Sequence, residues 1–204
     1  MKKFITFEGG EGAGKSTIIN LLCEHLKSNN IKFVNVREPG GLKVCEEIRN
    51  IVKYSDEPIS KNTELLLFSA SRAQLVGNFI LPKLDEGYLV ISDRYYDSSR
   101  VYQGYANGID DNTVMQITNF ATNGLVPSVT FILDIDPKVA FERKGGRDAG
   151  DRIEAKDLQF HNKVREGYLH IAKNEKRFVV LDATLKPEKI VQMVIDKLKE
   201  VNIL

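Results

Sequence analysis

A glycine-rich segment that follows an apolar run near the N-terminal end constrains this chain more than any other feature. Gly9–Ser16 fits the G-x-x-x-x-G-K-[ST] pattern of a phosphate-binding loop, and β-branched and aromatic residues precede it. Glycines permit the tight turn that brings backbone N–H groups against phosphate oxygens. Ile18, Leu22 and Leu26 lie one turn apart and predict an amphipathic helix, whose dipole would add positive charge at the loop. The pattern therefore predicts that the chain binds a nucleoside triphosphate.

Each position of this loop has a predicted contact with the nucleotide. Lys15 is expected to reach the outer phosphates, and the Ser16 hydroxyl is expected to hold Mg²⁺. The predicted nucleotide-binding residues are Gly9, Gly10, Glu11, Gly12, Ala13, Gly14, Lys15, Ser16 and Thr17.

Short apolar runs recur between helical stretches and predict buried parallel strands. The runs are Phe4–Phe7, Phe33–Val36, Tyr88–Ser92, Val129–Leu133 and Phe178–Leu181. Their separations leave room for crossover helices, so the predicted class is α/β of the P-loop NTPase type. We expect a doubly wound, roughly five-stranded parallel sheet with helices on both faces. Ligand groups in such sheets gather beyond the carboxyl ends of the strands.

The organisation of the chain indicates one domain with a basic lid. A length of 204 residues suits one α/β domain, and no repeat or linker divides residues 1–204. Arg143–Arg152 is rich in arginine and glycine and poor in apolar residues, so we predict a mobile cationic lid over about residues 143–155.

Charge and composition exclude several classes of partner. The chain has 29 basic and 28 acidic residues, and a net charge of +1 provides no global field for nucleic acid. No apolar run approaches the roughly 20 residues of a membrane-spanning helix. Its two cysteines, Cys23 and Cys45, lack metal or redox spacing and suggest reduced thiols. We expect a cytoplasmic protein without a signal peptide that binds neither nucleic acid nor membrane.

An acid and an arginine follow the third predicted strand. In phosphate-loop proteins an acid placed like Asp93 supports Mg²⁺, and the planar guanidinium of Arg94 suits a phosphate. The structural alternative is an Asp–Arg pair that only braces the strand end.

The segment that begins at this pair resembles the signature of the thymidylate kinase family, whose members phosphorylate dTMP with ATP. It is Asp93–Gly104, with the sequence DRYYDSSRVYQG. Further matches are Arg37–Gly41, Leu67–Ala73 and Asp151–Glu154. Together with the phosphate loop, the ordered matches span residues 4 to about 155.

The resemblance implies an acceptor site for dTMP. Phe68 would stack on thymine, and Arg72, one helical turn later, would bind a thymine carbonyl. Arg37 and Arg94 would hold the 5′-phosphate. The remaining implied substrate contacts are Arg49 at the phosphate, Ser99 and Gln103 at the base edge, Tyr102 and Glu8 at the sugar, and the adjacent Pro39 and Ser98.

The resemblance also implies which residues supply positive charge for catalysis. The variable loop positions Gly10–Ala13 carry no basic residue, which resembles the bacterial type in which lid arginines supply it. The implied catalytic residues are Glu8, Lys15, Arg94, Arg143, Arg147 and Arg152. Ser16, Asp93 and Glu8 are the implied metal-site residues, with Mg²⁺ as cofactor, ATP as donor and a homodimer as the assembly.

Two positions depart from the family pattern, because Leu42 and Arg100 stand where the family commonly has Thr and a small or apolar residue. These departures concern details of the acceptor pocket and not the reaction. The alternative hypothesis is a related kinase with a different acceptor, such as dUMP or a deoxynucleoside, although the paired Arg37 and Arg94 favour a monophosphate. A GTP-binding switch requires Asn-Lys-x-Asp, and the nearest segment, Asn162–Arg165, lacks the acid.

Overall fold

The computed structural model describes residues 3–146 and 151–204. In this part of the chain the strands are β1 (Phe4–Gly9), β2 (Phe33–Arg37), β3 (Leu89–Asp93), β4 (Val129–Asp134) and β5 (Phe178–Asp182). All of them are parallel, in the order β2-β3-β1-β4-β5. The predicted five-stranded parallel sheet is therefore confirmed.

Helices connect the strands and cover both faces of the sheet. They are α1 (Lys15–Ser28), α2 (Lys43–Tyr54), α3 (Lys61–Leu75), α4 (Leu81–Asp85), α5 (Tyr96–Ser99), α6 (Asp111–Thr122), α7 (Pro137–Lys144), α8 (Leu158–Ala172) and α9 (Pro187–Glu200). π-Helical segments, Val76–Ile80 and Arg100–Ala106, continue α3 and α5.

Side chains of the central strand, β1, point alternately to the two faces of the sheet, and each face has its own hydrophobic cluster. Ile5 and Phe7 belong to the cluster formed with α1 and α9, whereas Phe4 packs on the opposite face against Val76 and Tyr95. Successive strand residues point to opposite faces of a sheet. Helices on both faces are the consequence, as predicted.

The observed strands extend farther at their carboxyl ends than the apolar runs predicted. β1 includes Glu8 and Gly9, and β3 includes Asp93, because these polar residues still take part in the hydrogen-bonded ladders. Register pairs Asp93 with Phe7 on one side and with Arg37 on the other. The charged residues at the strand ends thus meet at one edge.

The continuous helical stretch Lys61–Asp85 is long and apolar enough to meet the length and composition test for a membrane span. It also contains Glu64 and Arg72, which are buried and bind side chains from other elements. It packs against α2 and α6. These contacts are those of a core helix.

Candidate active site

The phosphate loop closes tightly between β1 and α1. A Cβ atom at Gly9 would lie 2.6 Å from the Leu133 carbonyl oxygen, and one at Gly12 would lie 2.7 Å from that of Ala140. Both residues have positive φ angles. Glycine is required at these positions by backbone conformation and by close approach.

The loop lysine binds the loop's own carbonyl groups. Lys15 Nζ donates to the carbonyl oxygens of Gly9 and Gly10 at 3.1 and 3.0 Å. Burial and the nearby Arg94 charge lower the pKa of Lys15. The ammonium group is therefore held at the loop, at the position where phosphate oxygens are expected.

Two side-chain oxygen atoms that could bind a metal ion lie beside the loop. Ser16 Oγ donates to Asp93 Oδ2 at 3.3 Å, and both residues line the main cavity. Mg²⁺ takes oxygen ligands and is commonly bound by one or two protein groups, with phosphate oxygens and water completing the octahedron. Within residues 3–146 and 151–204, no group of three or more His, Cys, Asp or Glu side chains is arranged to hold a metal ion. The pair fits Mg²⁺ that is held partly by its nucleotide.

Glu8 is fully buried and accepts hydrogen bonds at both oxygens. Oε1 accepts from the Tyr95 backbone N–H at 2.8 Å, and Oε2 accepts from the hydroxyls of Ser98 at 2.6 Å and Tyr168 at 2.8 Å. Burial and the charge of Asp97 raise the pKa of Glu8. Glu8 is absent from the residues that line the cavity. The carboxyl group thus joins β1 to the acceptor segment from behind the cavity wall.

Arg94 links the phosphate loop to the acceptor segment. Its φ angle of 70° is positive, a sparsely populated conformation for a non-glycine residue that often occurs at functional sites. Nη2 donates to Glu11 Oε1 at 2.6 Å, and Nη1 donates to Ser98 Oγ and Tyr168 Oη at 3.2 Å. Although burial raises the pKa of Glu11, the charges of Arg94, Lys15 and Lys53 lower it to about 2. Glu11 is therefore an anion held against Arg94.

One cavity of about 880 Å³ joins the predicted donor and acceptor residues. Of the predicted site residues, it is lined by Glu11, Gly12, Ala13, Gly14, Lys15, Ser16, Thr17, Arg37, Pro39, Arg49, Phe68, Asp93, Arg94, Ser98, Ser99, Tyr102, Gln103 and Arg143. Glu8, Gly9, Gly10, Arg72 and Arg152 are not in its lining. Arg147 lies outside the described residues, as do Asp148–Gly150 of the predicted lid.

Arginines at the acceptor end are held by other groups of the protein, of which the Glu46 carboxylate was not predicted. Arg37 Nη2 lies 3.0 and 3.1 Å from the two carboxylate oxygens of Glu46. Arg49 Nη1 donates to the Pro39 carbonyl oxygen at 2.9 Å. Glu46 lies in the first turn of α2, but nothing in its spacing indicated a contact with Arg37.

Arg72 lies behind the cavity wall, where each of its three nitrogens has a partner. Nε donates to Glu38 Oε2 at 2.7 Å, Nη1 to Ser99 Oγ at 3.1 Å and Nη2 to the Tyr95 carbonyl at 3.1 Å. Burial raises the pKa of Glu38 to about 7, although Arg72 opposes the shift. Glu38 lines the cavity, and its other oxygen, Oε1, has no hydrogen-bond partner in the described part of the chain. The sequence placed Glu38 in the Arg-Glu-Pro-Gly-Gly motif at a strand end, but did not indicate a role for it.

The described arginines at the two ends of the lid bind groups that do not belong to the phosphate loop. Arg143 donates to the carbonyl oxygens of Ala183 at 2.7 Å and Thr184 at 3.4 Å. Arg152 is ion-paired with Glu64 and donates to the Val52 carbonyl at 3.0 Å. Ala183–Pro187, after β5, also lines the cavity and was missed, because it carries no motif.

Arg100, which departs from the family pattern, does not line the cavity. Its guanidinium binds Asp111 at 3.1 Å and Glu175 at 2.7 Å. This departure therefore leaves the acceptor end unchanged.

Comparisons with known proteins agree with the motifs. A family model described as thymidylate kinase matches residues 7–194. The thymidylate kinase of Sulfurihydrogenibium sp. (strain YO3AOP1) is 45% identical over 203 residues, which cover 98% of each chain. That of Carboxydothermus hydrogenoformans is 45% identical over 188 residues, which cover 92% of each. That of Chlorobium limicola is 47% identical over 206 residues, which cover 96% of this chain and 94% of the relative.

Proposed function

The chain belongs to the thymidylate kinase family, and from this premise we propose which residues bind ATP and dTMP and support phosphoryl transfer. It is a nucleotide kinase of nucleotide biosynthesis that phosphorylates dTMP with ATP. A kinase for a different acceptor is not favoured. The cavity that joins the phosphate loop to Phe68 and Gln103 is the observation that supports the assignment of residues below.

ATP occupies the end of the cavity at the phosphate loop. The backbone N–H groups of residues 9–14 and the α1 dipole receive the phosphates, and Lys15 exchanges its carbonyl partners for phosphate oxygens. Arg143 and Ala183–Pro187 line the cavity on the nucleoside side.

Ser16 and Asp93 would hold Mg²⁺, an assignment that rests on their mutual contact and their oxygen chemistry. When bound, the ion neutralises charge on the transferring phosphates. Glu8 is too enclosed by its three donors to be assigned as a direct ligand. We assign it instead to positioning Ser98 and the backbone of Tyr95.

dTMP occupies the opposite end, with its phosphate between Arg37, Arg49 and Arg94. Phe68 supplies the stacking surface for thymine, as a planar apolar side chain exposed to the cavity does. Further substrate contacts are assigned to Pro39, Ser98, Ser99, Tyr102 and Gln103. Arg72 acts through Ser99, because it lies behind the cavity lining.

A lid over residues 143–155 completes the charge around the transferring group. Arg143 and Arg152 bind neighbouring elements in this structure. We therefore assign the contact with the transferring phosphoryl group to Arg147. An arginine that reaches the transition state accelerates phosphoryl transfer about 10³- to 10⁵-fold.

The protein acts as one domain, residues 1–204, in a cytoplasmic homodimer, without nucleic acid or membrane partners. Two large apolar side chains on the mutually packed helices α3 and α6 support the dimer, because Leu66 is 55% and Phe120 is 87% exposed. A contiguous exposed apolar patch favours an interface, and we assign both side chains to one such patch.

ADP release, measured across the common nucleoside monophosphates, tests the assignment of the acceptor. We expect dTMP to have the highest kcat/KM, with ADP formation abolished when ATP is omitted. A clear preference for another base would overturn the proposed acceptor end of the cavity.

A further inference from the structure

Glu64 of α3 is a buried carboxylate that the proposed mechanism does not use. It is 3% exposed and accepts from Gln103 Nε2 at 2.9 Å and Asn107 Nδ2 at 3.4 Å. It is also ion-paired with Arg152. Glu64 itself does not line the cavity, whereas Gln103 does.

The contact with Glu64 determines which atom of the Gln103 side-chain amide is hydrogen-bonded within the protein. A carboxylate paired with an arginine only accepts hydrogen bonds, so it selects the amide nitrogen and repels the amide oxygen. In the described part of the chain, Oε1 of Gln103 makes no hydrogen bond. The carbonyl oxygen is therefore the polar atom that this amide keeps for a ligand.

We propose that Glu64 is a specificity-determining positioning residue, which orients the Gln103 amide so that Oε1 accepts from the N3–H group of the acceptor base. This inference rests on the proposed placement of the base beside Gln103. Thymine and uracil carry a hydrogen on N3, whereas cytosine presents a lone pair there. The fixed amide accordingly selects 2,4-dioxopyrimidines and rejects 4-aminopyrimidines, independently of the methyl group of thymine.

An amide held in one orientation rejects the wrong base because two acceptors would face each other without a hydrogen. Sites that are built to bind a particular polar group discriminate strongly for this reason. If the amide were free to rotate, it could offer its N–H group to cytosine and the discrimination would fall.

Glu64→Gln tests the proposal, because a glutamine can donate or accept and no longer selects one orientation of Gln103. The measurement is the ratio of kcat/KM for dTMP to that for dCMP. We expect the ratio to fall about tenfold or more, which corresponds to the loss of one oriented hydrogen bond. General structural damage would lower both kcat/KM values and leave their ratio unchanged.

Asn107→Ala is the matched control, since it removes the longer contact to Glu64 without touching the Gln103 amide. The ratio should stay at the wild-type value. Gln103→Ala should itself lower the ratio, and adding Glu64→Gln to it should change the ratio no further.

The outcomes separate the two proposals. If Gln103→Ala leaves the ratio unchanged, the proposed placement of the base is wrong. If Gln103→Ala lowers it but Glu64→Gln does not, only the role of Glu64 is wrong.

A crystal structure of the wild-type protein with dTMP provides a test without variants. The expected geometry has Glu64 within hydrogen-bonding distance of one amide atom of Gln103 and base N3 within that distance of the other. Separation of Glu64 from the amide would overturn the inference.

Discussion

The Ser16 hydroxyl of the phosphate loop donates a hydrogen bond of 3.3 Å to Oδ2 of Asp93 at the end of β3. The contact joins the first turn of α1 to a neighbouring strand of β1, at the edge where the strand ends converge. Residues far apart in sequence thus form one oxygen pair beside Lys15.

Asp93→Asn should lower kcat about 100-fold and raise the Mg²⁺ concentration that gives half-maximal rate, because a neutral amide is a weaker metal partner. Turnover measured across a Mg²⁺ titration checks this. Asp134→Asn is the matched control, because Asp134 also ends a strand but pairs with Arg165 at 2.7 Å. Equal Mg²⁺ dependence in wild type and Asp93→Asn would contradict the assignment.

Phe68→Ala should raise the KM for dTMP roughly 10- to 100-fold, because stacking of an aromatic ring on a base contributes about 1–3 kcal/mol. Steady-state kinetics with each substrate varied in turn provides the measurement. The KM for ATP should stay unchanged, and Phe68→Tyr, which keeps the ring, should bind dTMP nearly as well as wild type. An unaltered dTMP KM in Phe68→Ala would place the base elsewhere.

Arg147→Ala should lower kcat about 10³-fold with little change in the KM for dTMP, because its charge is assigned to the transition state. Lys138→Ala removes an exposed cation of α7 that does not line the cavity, and it should have wild-type kinetics. Rapid-quench measurement of the first turnover separates chemistry from product release. Wild-type turnover in Arg147→Ala would remove this arginine from the mechanism.

Glu38 should make stability depend on pH between its ordinary pKa of 4.5 and its raised pKa of about 7. Burial raises this pKa, against the opposing charge of Arg72, so folding favours the protonated form. The contribution is complete below about pH 4.5 and is lost as pH rises towards 7. The stability of wild type relative to Glu38→Gln should therefore fall over this range by an amount on the order of 3 kcal/mol. Urea unfolding of both proteins at several pH values checks the slope, and parallel curves would contradict it.

Phe120→Asp should shift the protein towards monomer, because a charge replaces the large exposed apolar side chain of the proposed interface. Sedimentation velocity at several concentrations gives the oligomeric state. Val139→Asp, at a 37% exposed position on α7, is the control and should sediment like wild type. A wild type that is monomeric at all concentrations would refute the dimer itself.

Periodicity and apolar runs were sufficient to predict the fold. Buried parallel strands such as β3 have near-continuous apolar sequences, and amphipathic spacing marked α1. The predicted strands ended too early, because Glu8 and Asp93 are polar and yet continue the hydrogen-bonded ladders of the sheet. Hydrogen bonding of the backbone is independent of side-chain polarity, so composition does not mark the last residue of a strand.

Local motifs in the sequence identified most of the predicted site residues that line the cavity. Residues that support them through tertiary structure were missed, as Glu64 and Glu46 illustrate. Glu64 lies 39 positions from Gln103, and only the packing of α3 against the acceptor segment brings them together. Arg72 illustrates the reverse case, since its motif predicted a contact with the base but not that its guanidinium binds Ser99 and is absent from the cavity lining.

The ion pair between Glu11 and Arg94 has a consequence for how the enzyme tolerates other anions. If Arg94 receives the acceptor phosphate, that phosphate must displace a carboxylate of the protein as well as water. Small free anions such as sulfate or inorganic phosphate would also have to displace Glu11 from Arg94. Unlike dTMP, they make no base-stacking or sugar contacts that offset this cost. On the proposed assignment, Glu11 would therefore weaken the binding of free solution anions at Arg94 more than the binding of a complete nucleotide.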